Sequence, residues 1–198
     1  MPENVFAFID ESNVKYSAQA MGFINFDYEK FKAWAESKGI SRIYIYGSYL
    51  REDSEQLAFY EELERLGYLV SKKEVMTYRK PSTPLDLKCP SCSHKFKKYR
   101  KEFKKTKANC DVELTLDVMN QCSRHRCSKV YIFTADGDFS KLFEYIATEL
   151  RPRIKVVVYS PLGKYTKRTS LKLKELNRSG TIKIEDLASL FNSCGAKR

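Results

Sequence analysis

The chain has 198 residues, 42% hydrophobic and 31% charged, an ordinary composition for one domain with a sizeable core. No run approaches the roughly 18 apolar residues that span a bilayer, and Met1-Pro2-Glu3-Asn4 lacks the basic-then-apolar pattern of a signal peptide, so no membrane association and a cytoplasmic location are expected. Six cysteines are too few for a disulfide scaffold at this length, which implies reduced thiols, and the net charge of +11 directs attention to anionic partners.

Apolar, β-branched runs alternate with helical periodicity along the chain. Asn4–Ile9 reads as a strand that ends at a carboxylate, Asp10. Phe26–Ser37 carries Tyr28, Phe31, Trp34 and Ala35 at helical spacing, and Gly39 stops it. Ser41–Tyr46 alternates as a strand, and Ser54–Leu66 is a helix with Leu57, Tyr60, Leu63 and Leu66 in phase before Gly67. Tyr68–Met76 is a third strand. The stretch 77–107, with Pro81, Pro84 and Pro90, breaks the rhythm and reads as an insert. Beyond it Cys110–Arg124 is helical, with Val112, Leu114, Leu116, Val118 and Met119 as its apolar content. Lys129–Ala135 is a strand, Phe139–Leu150 a helix, and Ile154–Tyr159 a nearly uniform β-branched strand of the buried parallel kind. Thr169–Leu176 and Glu185–Phe191 read as short closing helices. The alternation predicts one α/β domain over residues 1–198, a three-layer α/β/α sandwich on a mostly parallel sheet, with sites at the carboxyl ends of the strands.

Acidic residues fall at those ends. Asp10 follows the first strand, Asp136 and Asp138 follow the fourth in Thr134-Ala135-Asp136-Gly137-Asp138-Phe139, Asp111 opens the helix after the insert, and Asp117 lies six residues on. Carboxylates converging at one sheet edge suit hard divalent cations such as Mg2+ or Mn2+, which activate water and stabilise a leaving oxygen at a scissile phosphate. Each acid also has a structural reading: Asp111 and Asp138 as helix N-caps, Asp117 as a solvated helix residue. Asp10 is harder to place that way, because an acid directly after a buried strand needs a partner or a cation. Asn13, three residues on, reaches across the same loop. Other chemistries lack their residues. Asp10-Glu11-Ser12-Asn13 has no glycine for a dinucleotide turn, no phosphate-binding glycine loop is present, and Ser12 stands where a dehalogenase-type phosphatase needs a second Asp. His94 and His125 lie in strongly basic surroundings that do not suit a hydrolytic triad.

The segment Phe8-Ile9-Asp10-Glu11-Ser12-Asn13 resembles the opening Asp-x-x-Asn element of NYN domains, members of the PIN-like nuclease superfamily. Lys107-Ala108-Asn109-Cys110-Asp111-Val112-Glu113-Leu114-Thr115-Leu116-Asp117 is similar to their Lys-x-x-x-Asp-Val-x-Leu-x-x-Asp helix, and Thr134-Ala135-Asp136-Gly137-Asp138-Phe139 to their Ser-Gly-Asp-Gly-Asp-Phe turn. The resemblance implies an Mg2+- or Mn2+-dependent ribonuclease. It implies Asp10, Asp111 and Asp136 as core metal ligands, Asp138 and Asp117 as lesser members, and Asn13 orienting the first carboxylate. Glu11, the pair Thr134-Ala135, and Cys110 depart from the family's usual small residue or glycine, Ser-Gly, and glycine.

Two segments hold more than the whole charge excess. Residues 88–107 carry nine basic residues against Glu102 alone, and 151–174 carry eight with no acid, so each is +8 and the remainder of the chain about −5. Phe96, Tyr99 and Phe103 lie among the lysines of the first, and this mixture of cations with stacking rings points to RNA rather than to a solubilising surface. Lys95, Lys97, Lys98, Arg100, Lys101, Lys104, Lys105 and Lys107 are the RNA-binding residues expected there, with Lys164, Lys167 and Arg168 from the second. Residues 77–107 are expected to form a mobile substrate arm, hinged at its prolines, that folds over RNA bound at the acidic edge, since +8 in the twenty residues 88–107 repels itself and favours an extended form. Within it, Cys89-Pro90-Ser91-Cys92 has the spacing of half a zinc site. The remaining ligands would come from Cys110, from Cys122 and Cys127 with His125, or from the same knuckle of a second subunit in a homodimer. Reduced, unliganded thiols fit the sequence equally, and Cys194 reads as incidental. A non-enzymatic RNA-binding or adaptor module that keeps the acidic pocket is the competing function, and DNA cleavage a third.

Overall fold

The computed structural model describes residues 4–80, 83–100, 103–124, 127–150 and 154–197. In chain order the first half contains β1 (Asn4–Asp10), α1 (Glu11–Ala20), β2 (Phe23–Phe26), α2 (Tyr28–Ser37), β3 (Arg42–Tyr49), α3 (Ser54–Arg65) and β4 (Leu69–Glu74). The insert holds β5 (Met76–Lys80), β6 (Thr83–Lys88), β7 (Lys95–Arg100) and β8 (Phe103–Lys107). There follow α4 (Asp111–Arg124), β9 (Cys127–Phe133), α5 (Ser140–Tyr145), β10 (Lys155–Ser160), α6 (Leu171–Arg178), β11 (Lys183–Asp186), α7 (Leu187–Cys194) and β12 (Gly195–Lys197).

Six strands form one sheet in the order β11-β10-β9-β1-β3-β4, and every pairing in it is parallel. The two-residue period of a strand divides each central strand between two cores. Phe6 and Phe8 of β1, Tyr44 and Tyr46 of β3, and Val130 and Ile132 of β9 pack under α4, α5 and α6. Ala7 and Ile9, Ile43 and Ile45, and Tyr131 and Phe133 pack on the other face under α1, α2, α3 and α7. Each fully buried ring, such as Phe8, Phe31 or Phe143, contributes about 2–3 kcal/mol of transfer free energy. This is the three-layer α/β/α sandwich expected from the alternation. Among the described residues no helix is long and apolar enough to cross a membrane.

The chain leaves β1 towards β3 and β4 on one side and later returns to build β9, β10 and β11 on the other. The order therefore reverses between β1 and β9, and a crevice opens at their carboxyl ends, where ligands bind in open α/β sheets. Asp10 is the last residue of β1, and Asp136 follows β9 by three residues.

Several boundaries differ from the sequence reading. Phe26 belongs to β2, and α2 begins only at Tyr28 because the Asp27 carboxylate caps it, accepting the Lys30 N–H at 2.9 Å. The reading Glu185–Phe191 as helix is corrected in the same way. Lys183–Asp186 is the edge strand β11, and Asp186 accepts the Ala188 N–H at 3.0 Å where α7 starts. In α4 only Leu114, Val118 and Cys122 are buried, at i, i+4 and i+8, whereas Val112 and Leu116 are exposed. The insert is a pair of antiparallel ladders, β5 with β8 and β6 with β7.

Candidate active site

Asp10 shares its strand face with Phe6 and Phe8, which turns it to the α4 side of the sheet. It is buried, and four donors hold its carboxylate. Oδ1 accepts the Ser12 hydroxyl at 2.8 Å and the Asn13 N–H at 3.2 Å; Oδ2 accepts the Asn13 side-chain amide and the Thr134 hydroxyl, the latter at 3.2 Å. The backbone bond makes Asp10 the N-cap of α1. Its capping role and its placement at the crevice are thus one geometry, and Asn13 bonds it through both its backbone and its side-chain amide.

Asp136 is set by the turn after β9. Thr134 Oγ1 accepts the Asp136 N–H at 3.2 Å, and Asp136 Oδ1 accepts the Asp138 N–H at 2.9 Å, capping the single 3-10 turn Gly137–Phe139. The N-cap here is Asp136, and Asp138 stands exposed beside it. Gly137 is required by packing. A Cβ on it would lie 2.1 Å from Ser170 Oγ and 2.9 Å from Ser170 Cβ, while the Ser170 N–H is bonded to Ala135 O at 3.1 Å. Gly137→Ala is expected to cost about 1–3 kcal/mol of stability through this overpacking. Thermal unfolding checks it; an unchanged Tm would contradict the contact.

Asp111 is the first residue of α4. Asn109 grips it from two residues upstream, its Oδ1 accepting the Asp111 N–H at 2.6 Å and its amide donating to Asp111 Oδ2. Asp117 is six residues further, about 120° around a helix from Asp111 and roughly 9 Å along it. It accepts the Tyr46 hydroxyl at 2.8 Å. Tyr46 lines the pocket, whereas Asp117 does not. Burial first and then Asp117 push the Tyr46 hydroxyl well above its usual range.

A pocket of about 120 Å³ opens among these groups, lined by Asp10, Asp111 and Asp136 together with Ser12, Asn13, Tyr46, Asn109 and their neighbours, from four segments of the chain. Among the described residues no basic side chain lines it. Burial raises the Asp111 pKa, and repulsion from Asp10, Asp136 and Asp138 raises it further against the lowering by the Asn109 amide. Oxygen donors of like charge around a small polar space fit a hard divalent cation. Among the described residues no three His, Cys, Asp or Glu side chains already form a ligand cluster. Lys73 of β4 stands just outside, bonded to Glu113 at 2.6 Å and to Asn109 O at 3.3 Å.

The raised pKa has a stability consequence with a definite sign. A carboxyl whose folded pKa exceeds its unfolded one loses stabilisation as pH rises from the ordinary carboxylate range through the folded value. Above that window Asp111→Asn is expected to raise the Tm of the metal-free protein, and Mn2+ is expected to raise that of the wild type. Differential scanning calorimetry with and without chelator checks this, and a lower Tm for metal-free Asp111→Asn would contradict it.

Ser12, Thr134, Asn109 and Tyr46 are contributors that periodicity does not mark. Glu11, one residue from Asp10, is buried against Tyr60 on the α3 side with its pKa raised by burial, and does not line the pocket. Lys164, Lys167 and Arg168 lie exposed on a 3-10 segment after β10, at the same carboxyl edge as Asp10. Lys95, Lys97 and Lys98 are exposed on β7. Arg100 is in β7, and Lys104, Lys105 and Lys107 are in β8. The arm returns to the body through Ala108 and Asn109, which line the pocket. Lys101 and His125 fall outside the described residues. Cys110 is buried with its thiol on Gly47 O at 3.1 Å, and Cys122, Cys127 and Cys194 are buried in the cores, so the structure does not bring them to Cys89 and Cys92.

A family model described as "NYN domain" matches residues 4–177. Among solved structures, a protein of unknown function from Vibrio parahaemolyticus is 22% identical, with a TM-score of 0.61 and 93% of each chain covered. A mutant T5 5'-exonuclease is 12% identical, with a TM-score of 0.39, over 89% of this chain and 56% of that one. No curated protein matches the chain.

Proposed function

The chain belongs to the NYN domain family, and on that premise we propose that it is a divalent-metal-dependent ribonuclease that hydrolyses RNA phosphodiester bonds at its aspartate pocket. The observation that carries this reading is the pocket itself, three carboxylates from separate segments around one small space that no basic side chain lines among the described residues. Asp10, Asp111 and Asp136 would hold Mg2+ or Mn2+, with Asp138 exposed beside them. When bound there, the cation supplies Lewis-acid charge and activates water for attack on phosphorus.

The chain's own residues do the positioning. Ser12, Asn13 and Thr134 keep Asp10 from rotating, Asn109 presents Asp111, and the Asp138 N–H fixes Asp136. Asp117 acts through Tyr46 as a positioning residue. RNA is the substrate proposed because basic side chains lie exposed on the arm that springs from the pocket rim, and again on the 163–168 segment at the same sheet edge.

Labelled RNA, single-stranded and structured, and DNA of the same sequence, each with Mn2+, Mg2+ or chelator, test the reading. Cleavage of RNA alone, and only with metal, is expected. RNA binding that survives chelation with no cleavage in any metal would replace it with the adaptor reading, and equal cleavage of DNA would overturn the RNA assignment.

A further inference from the structure

The cysteine pair that the acidic site leaves unused sits at the end of the arm. Strands β6 and β7 pair in antiparallel register from Thr83 opposite Arg100 to Lys88 opposite Lys95, so residues 89–94 form the loop at the tip of a two-stranded ribbon. That loop is closed by its backbone. The Cys89 N–H donates to His94 O at 2.9 Å, and the Ser93 N–H to Cys89 O at 2.9 Å. Ser93 adopts φ 61°, the one non-glycine left-handed residue among those described, a conformation that costs a side-chain-bearing residue roughly 1–2 kcal/mol. The closed turn brings the Cys92 and Ser91 N–H groups onto the Cys89 sulfur. Two cysteines three residues apart, on a turn whose backbone N–H groups face the first sulfur, are a zinc ligand pair in form.

One chain provides only that pair. Among the described residues no third His, Cys, Asp or Glu joins it, and the other four cysteines are buried in the body. Structural zinc takes four ligands. The ribbon also carries an apolar stripe without a covering layer. Leu85 and Leu87 share one face with Phe96, which is paired across from Leu87, and these side chains are 43%, 38% and 45% exposed. Lys88 and Lys95 flank the loop as a cross-strand pair. Two like charges in direct opposition are unfavourable in isolation, but a zinc held by four thiolates carries a net charge of −2 that such lysines offset.

We propose that Cys89 and Cys92 are half of a structural zinc site, completed by the same two cysteines of a second copy of this chain. A two-fold axis through the metal then places the Leu85, Leu87 and Phe96 stripes of the two ribbons where each covers the other. Four thiols give up their protons as one Zn2+ binds, with no change of oxidation state. The site joins two arms at their tips and leaves each acidic pocket on its own body.

The test uses the full chain, reduced and loaded with zinc. Metal analysis should find one tightly held zinc per two chains, and light scattering should find twice the 23.1 kDa chain mass. Chelator should return the monomer. Cys92→Ser should be monomeric with an unchanged circular dichroism spectrum. The Co2+ form should show thiolate-to-metal charge transfer that is lost in Cys92→Ser, which separates it from any signal of Cys110 at the carboxylate pocket. A monomer at saturating zinc, one thiolate-bound zinc per chain, or a dimer that persists both after chelation and in Cys92→Ser would each overturn the proposal. None of these outcomes bears on the nuclease reading, which rests on the pocket.

Discussion

Asp10→Asn is expected to lower metal-dependent RNA cleavage by more than about a hundredfold while leaving the Tm close to that of the wild type. The substitution removes one charge from a site proposed to hold cations against a phosphate, and metal catalysis contributes several kcal/mol. At about 1.4 kcal/mol per factor of ten, a loss of roughly 3 kcal/mol already exceeds a hundredfold. The fold loses little. Asn caps helices about as well as Asp, so the bond from the Asn13 N–H survives, and Asn13 turns its amide to present an oxygen to the new Nδ2. Single-turnover cleavage and thermal unfolding on the same preparation check the two halves. Full activity in Asp10→Asn would contradict the assignment.

Replacing Lys97, Lys98, Lys104 and Lys105 together by Ala is expected to weaken RNA binding and to flatten its salt dependence. Each phosphate contact on a single strand contributes about 0.7 to the slope of log K against log salt, so four lost contacts reduce it by up to about 3. The loss in affinity should be uniform across RNA sequences, because lysines reach phosphates rather than base edges. Fluorescence anisotropy between low and moderate salt measures both quantities. An unchanged affinity and slope would reassign the arm from substrate contact to protein contact alone.

The central strands were legible because burial on both faces demands aromatic and β-branched residues, which β1, β3, β9 and β10 supply. Helix α1 escaped periodicity because it buries Val14 with small residues, Ser17 and Ala18, and turns polar groups to solvent. The arm read as broken because of its prolines. Yet Pro84 sits in β6 opposite Tyr99, where a two-stranded ribbon leaves one edge of each strand unpaired and the missing N–H is tolerated. Asp10 stood out because an acid directly after a buried strand needs a partner or a cation, and Asp136 and Asp111 by their places after β9 and at the start of α4. Thr134 did not, since its bond to Asp10 joins residues 124 apart in the chain, and no local pattern marks a contact made only by folding. Asn109 carried a local signal, an amide two residues before a helical acid.

The most direct measurement is single-turnover cleavage of an end-labelled RNA by the wild-type chain as a function of Mn2+ concentration, starting from chelated protein. Cleavage should be absent without metal, rise to saturation as Mn2+ is added, and vanish again on chelation, with the bound RNA remaining on the protein. Cleavage that proceeds at the same rate in chelator would contradict a catalytic site built on Asp10, Asp111 and Asp136.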